Sequence, residues 1–236
     1  MATLKVWGEG ILGAATIGMN IVLSPLLRAR RMSWGATHEE ILQRIPGDEM
    51  SPHPKFVATR AVTIHAPVVQ VWPWMVQLGC KRGGWYSYDL LDNAGEPSIN
   101  HIAPDLQVLK VGDNLPMTPD GKMAMPVRQI EPGRVIVMGG TLDSKTGKDA
   151  DIDDPNLREY FSWVITYALQ PIDANTTRLV TRNRADWNPS VMNRIVFGLF
   201  IEAISFVMES KMASGIKERA EGKHPTSMFR GRLPTA

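Results

Sequence analysis

The stretch CKRGGWYSYDLLDN, Cys80 to Asn93, is the densest in groups able to recognise or transform a small molecule. Gly83 and Gly84 let the backbone turn. Trp85, Tyr86 and Tyr88 bring large apolar faces with polar tips, the usual lining of a site for a mostly apolar ligand. Arg82 and Asp89 stand where they can orient a polar head group or pair with each other. The competing reading is structural: the aromatics seal one end of a core and the charges cap a helix. Elsewhere the chemistry thins out. His101 lies in the loop-like INHIAPD as a lone candidate base. No two histidines have ligand spacing and Cys80 is the single cysteine, so no metal is expected. DADIDD, Asp149 to Asp154, starts like a calcium loop. It then has Asp154 where glycine is needed and Tyr160 where glutamate is needed, and reads as a solvated acidic loop. There is no G-x-S-x-G, no phosphate loop and no implied cofactor.

Gly8, Gly10 and Gly13 spell G-x-G-x-x-G. A dinucleotide site would need a strand before them, a helix after, a second strand, and an acidic residue about 20 positions on. After Ser24-Pro25 the chain instead reads LLRARRMSWGATHEE, with arginines and a turn-like Trp34-Gly35 where that strand should be. The glycines therefore belong to a helix. From Gly10 to Leu27 no side chain is charged. As a helix this run would extend roughly 27 Å, near the thickness of a bilayer's hydrocarbon core. Arg28, Arg30 and Arg31 follow at once. The reading is a single-pass membrane helix, amino terminus outside and main domain cytoplasmic. On a helical wheel Gly10, Gly13, Thr16, Asn20 and Ser24 share a side opposite Ile11, Met19 and Val22. Small and polar residues favour contact between helices in a membrane, with other transmembrane helices of a complex or with a second copy. The rival is an amphipathic helix lying on the chain's own domain.

The 236 residues suffice for one ordinary domain with an appendage, and 44% are hydrophobic. A net charge of +2 gives no global reason to expect nucleic acid. Four parts are expected: a helix with basic flank at 1–33, a linker at 34–54, a domain at 55–222 and a tail at 223–236. KFVATRAVTIHAP reads as a strand. APVVQVWPWMVQLG reads as a helix opening at Pro67, closing at Gly79, and kinked or divided by Pro73. Short strands follow in LQVLKVGDNLPM and MAMPVRQIEPGRVIVMGG. REYFSWVITYALQPI alternates, with Phe161, Trp163, Ile165, Tyr167 and Leu169 on one buried face, and TTRLVTRNRADW is its hairpin partner. Asn188-Pro189 opens a long helix that runs to a stop at Gly222. Its first half is apolar around most of its circumference. Only Gly198, Glu202, Ser205 and Glu209 make a narrow polar strip, so it must be covered on two sides.

Strand, helices, antiparallel sheet and long final helix form the order of an α+β helix-grip fold. The phrases WGATHEE, ATRAVTIHAP, VWPWMVQLG, RGGWYSYD and LKVGD make Trp34 to Glu221 similar to the SRPBCC superfamily. That superfamily includes START-like lipid-binding domains and polyketide-cyclase-like proteins. VWPWMVQLG and RGGWYSYD resemble a bacterial branch in which many members carry a hydrophobic amino-terminal segment. The resemblance implies a curved sheet gripping the last helix around an apolar cavity. The expected function is a membrane-anchored binding protein for a hydrophobic small molecule or lipid. Its expected ligand contacts are Trp74, Arg82, Trp85, Tyr86, Tyr88, Asp89, Trp163, Tyr167, Phe200 and Ala203. Two alternatives stand beside it: an accessory subunit of a membrane complex whose cavity is filled by side chains, and a cyclase-, dehydratase- or hydrolase-type enzyme.

Overall fold

The computed structural model describes residues 3–223. The tail from residue 224, with Arg230 and Arg232, lies outside the described residues, as do the side chains of Ser24, Pro25, Val191, Arg194 and Leu199. Six strands form one antiparallel sheet: β1 Phe56–Ile64, β2 Asn114–Pro116, β3 Ala124–Glu131, β4 Val135–Asp143, β5 Tyr160–Asp173 and β6 Thr176–Trp187, in the order β1-β6-β5-β4-β3-β2. The β5–β6 hairpin is the spine of the sheet, with Ile165 opposite Asn183 and Leu169 opposite Leu179.

Seven α-helices surround it: α1 Leu4–Val22, α2 Ser24–Met32, α3 His38–Leu42, α4 Val68–Val76, α5 Asp89–Asp92, α6 Val191–Ile195 and α7 Glu202–Ala220. A π-helical stretch, Val196–Ile201, joins α6 to α7. The inner face of the sheet holds α7 and α4 around the main core, which includes Ile64, Met75, Leu78, Met138, Leu179 and Ile216. This is the helix-grip arrangement. Pro73 does not divide α4. The carbonyl it leaves without a helical donor belongs to exposed Val69, where water is at hand.

The alternation in β5 predicts one buried face, but the structure buries both. Trp163, Ile165 and Tyr167 point to the grip side, while Ser162, Val164, Thr166 and Ala168 lie under another layer. That layer is 34–54, expected as a linker. It is pinned by alternate residues of β6. Arg178 holds Glu40 at 2.7 Å, Arg182 holds Asp48 at 2.7 Å, and Arg184 donates to the Ser51 carbonyl at 2.9 Å. The Thr166 hydroxyl donates to the Pro46 carbonyl at 2.7 Å. Arginine on a strand reads as exposed; here the planar guanidinium bonds backbone carbonyls and a carboxylate together.

The carboxy-terminal helix begins two residues later than Asn188-Pro189 suggests. Ser190 is the cap and accepts from the Asn193 N–H. It ends as expected. Gly222, at φ +68°, donates to the Arg219 carbonyl, and Lys223 N–H reaches the Glu218 carbonyl at 2.7 Å. Beside this stop, Glu221 accepts from the His65 N–H at 2.8 Å and pairs with Lys217 and Lys223. Burial pushes its carboxyl up, but those partners prevail and hold it at about 2.

The first helix departs most from expectation. No single helix among the described residues is long and apolar enough to cross a membrane. The uncharged run breaks after Val22, and α1 and α2 meet at 119°. Gly10, Gly13 and Asn20 do form a contact face, as their spacing predicts. The surface they meet is the chain's own: a Cβ on Gly10 would stand 2.4 Å from Leu90, and one on Gly13 would stand 2.8 Å from the Tyr88 ring. Thr16 is half-buried beside them and accepts Asn20 Nδ2 at its carbonyl. Ser24 begins α2.

The polar strip on the last helix also turns inward. Glu202 is only 3% exposed; Arg28 grips it at 2.8 Å and Arg31 approaches at 3.8 Å. Arg60 of β1 donates to Glu209 at 2.6 Å, to Ser205 at 3.3 Å and to the Arg31 carbonyl at 2.8 Å. These buried charges neutralise one another across α2, β1 and α7.

Candidate functional site

Between the grip face of β5 and one side of α7 lies a cavity of about 230 Å³. Trp163, Ile165 and Tyr167 form its floor, Ile201, Ile204 and Met208 one wall, and Trp85 and Asp92 the opposite rim. It is mostly apolar. β5 places its aromatics there because every second side chain of a strand faces the same way. α7 places its wall because residues three and four apart share a helix face.

Two carboxyl groups reach this apolar space. Asp92 ends the short α5, and its Oδ1 has no hydrogen-bond partner among the described residues. Burial, then the nearby Asp89 charge, pushes its carboxyl up to about 8. At neutral pH it is therefore an acid that can donate a hydrogen bond. Glu209 sits on the α7 wall. Burial pushes its carboxyl up as well, while Arg60 and Asn183 act against the rise. The Tyr167 hydroxyl donates to the Met212 sulfur at 3.8 Å. Burial, followed by the Glu209 charge, holds that phenol well above its ordinary range. Trp85 is only 5% exposed, and its Nε1 has no partner among the described residues. An unpaired buried donor costs free energy, on the order of 1–3 kcal/mol. Asp92 and Trp85 thus offer a bound molecule two unsatisfied polar contacts.

Of the ten expected contact residues, the structure brings Trp85, Trp163 and Tyr167 to the cavity. The others have different surroundings. Trp74 packs edge-on against Tyr86 at 6.0 Å in the core. Tyr86 accepts from Gln77 at 2.7 Å beneath the Arg219 guanidinium, and burial pushes its phenol to about 12. Arg82 donates to the Leu78 and Val76 carbonyls at the end of α4. Asp89 accepts from the N–H and hydroxyl of Ser98. Tyr88 supports α1 under Gly13. Phe200 faces solvent, and Ala203 is fully buried outside the cavity lining.

Asp92 and Glu209 were hidden by their contexts. Asp92 sits in DLLDN three residues after Asp89, which has the same chemistry and nearer aromatics. Glu209 belongs to a strip that looks solvated. The available signal was Arg60, the one charged residue of β1, which demands a buried anion. His101 is exposed and lends only its carbonyl, to Gln77. Asp149 of the acidic loop pairs with Arg128 at 2.8 Å. Among the described residues no group of His, Cys, Asp and Glu is placed to hold a metal ion.

No family model matches the chain, and no curated protein matches it in sequence. Solved structures align with it in three dimensions at low identity. A protein from Mesorhizobium loti aligns at 13% identity and TM-score 0.41, over 72% of this chain and 100% of its own. One from Nitrosomonas europaea aligns at 14% identity and TM-score 0.41, over 75% and 99%. Truncated norcoclaurine synthase from Thalictrum flavum aligns at 14% identity and TM-score 0.40, over 69% and 91%.

Proposed function

We propose that the chain binds a small, mainly apolar molecule in the grip cavity, with Asp92 and Trp85 Nε1 as its polar contacts. The observation that carries this reading is an apolar space between sheet and helix whose lining residues hold two buried polar atoms without partners among the described residues. A cavity of roughly 150 Å³ accommodates benzene, so about 230 Å³ suits a molecule of bicyclic size. The bulky residues that might have filled it are otherwise engaged. Trp163 and Tyr167 line the space without closing it, and Phe197 stacks on Phe161 and Trp187 at 4.8 and 4.6 Å. This favours a binding role over that of an accessory subunit with a solid core.

Uptake of an apolar fluorescent probe tests the proposal. The full chain is expected to bind the probe saturably. Met208→Trp, at a half-buried wall position, is expected to abolish uptake while leaving the melting temperature nearly unchanged. Equal uptake by both proteins removes the cavity from consideration. A large fall in melting temperature says the wall is packed solid, since overfilling a core costs typically 1–3 kcal/mol.

A further inference from the structure

The outer side of α1 is the reverse of its inner side. Leu4, Trp7, Ile11 and Val22, at helical spacing, form a ridge opposite Gly10, Gly13 and Asn20, with Met19 alongside. Val22 is 80% exposed, and Leu26, just past the bend, is 82% exposed. An ordinary surface helix buries its large apolar residues and shows the polar ones. This one leaves Leu4, Trp7, Ile11, Leu12, Met19 and Val22 exposed over a length of roughly 28 Å. A second apolar patch lies where α2 joins α7. Glu202, which holds Arg28, is flanked by exposed Phe200 and Ile204, and Ile195 and Met192 precede them.

We propose that α1 lies flat on an anionic lipid bilayer, with its ridge in the headgroup–acyl boundary and α2 supplying the electrostatic contact. Charge selects this occupant. Arg30 is exposed, and Arg28 keeps about half of its side chain in solvent despite its ion pair. Glu9, the one acidic residue on α1, is partly covered and offset by Lys5. Exposed arginines on α2, at the end of an apolar helix face, suit anionic headgroups. A second copy, packed ridge to ridge about a two-fold axis, would bring the same arginine-bearing surface against itself. Trp7 adds an indole of the kind that settles at a membrane boundary.

The surface also borders the cavity. α5 touches α1 through Leu90 and the cavity through Asp92, with exposed Leu91 between them. A bilayer on the ridge therefore lies across the width of α1 from α5 and Asp92. Docking involves different residues from the cavity, so either proposal can fail alone.

The test is flotation of the full chain with vesicles of phosphatidylcholine containing roughly one-third phosphatidylglycerol, and with pure phosphatidylcholine. The chain is expected to float with the anionic vesicles. Trp7→Ser with Ile11→Ser is expected to weaken this roughly tenfold without altering near-ultraviolet dichroism, because both side chains face solvent. Arg30→Glu is expected to weaken binding to anionic vesicles alone, and more at low salt. Failure of the chain to float, or equal flotation of the double variant, overturns the proposal. So does a dimer in vesicle-free buffer that Ile11→Ser converts to monomer, since a second copy then covers the ridge.

Discussion

At the scale of single residues, the molecule's unusual chemistry is a carboxylic acid that holds its proton near neutral pH. Asp92 is raised from 3.8 to about 8 by burial and by the neighbouring Asp89 charge. The sign of the consequence follows from linkage. Above pH 4 the unfolded chain has released this proton while the folded chain keeps it. Stability from Asp92 is thus present in full below pH 4 and is lost as pH rises toward 8. The slope is at most about 1.4 kcal/mol per pH unit. Asp92→Asn keeps the shape and cannot ionise. Thermal melts from pH 4 to 9 are expected to show a shallower decline for Asp92→Asn, and a higher melting temperature than wild type at the alkaline end. Parallel curves for the two proteins reject a protonated Asp92. The paired carboxyl Glu209 faces the same cavity and is common to both proteins, so it cancels in the comparison.

At the scale of elements, two helices bury small or polar residues that their sequence would place outside. α1 buries glycines and an asparagine; α7 buries Glu202, Ser205 and Glu209. The sequence contained the spacing of both faces but not their direction. Small-residue stripes let backbones approach in water as in lipid, and a polar strip turns inward when cations wait behind it. Arg28, Arg31 and Arg60 are those cations, and they come from two places in the chain, α2 and β1. By contrast β1, the β5–β6 hairpin and the Gly222 stop were legible, because alternation and cap chemistry are local. The double burial of β5 was not, because its cover, 34–54, is held by side chains of β6 rather than by its own pattern. Gly13→Leu tests the direction of α1. A side chain there meets the Tyr88 ring, so α1 should lift from its seat at a cost of about 1–3 kcal/mol. Limited proteolysis is expected to cut 3–33 faster while the remaining fragment persists. Unchanged cleavage says that the inward face is not a contact face.

At the scale of the whole molecule, the cavity wall and the buried arginines converge on the first half of the carboxy-terminal helix. Its other half is fastened differently. Glu221 takes the backbone N–H of His65 just beyond β1, while Lys217 donates to the Thr63 carbonyl at 2.5 Å. The half near Glu221 is the heel and the half near Glu202 the toe: the heel is tied to backbone at the end of β1, the toe to side chains of α2 and β1. The heel is latched to the sheet by a carboxylate at about 2, so the latch releases only as pH falls toward that value. The toe begins in the π-helical stretch and carries Ile201, Ile204 and Met208 of the cavity wall. Hydrogen exchange at neutral pH is expected to run faster over 196–208 than over 212–220, and Glu221→Gln is expected to narrow the difference. Uniform exchange along the helix would mean that it moves as one rod. With a fixed heel the grip has a single opening direction. Under the proposed binding role, the toe is then the side at which a ligand enters, beside the Arg28–Glu202 pair, and faster exchange over 196–208 is the result that supports it.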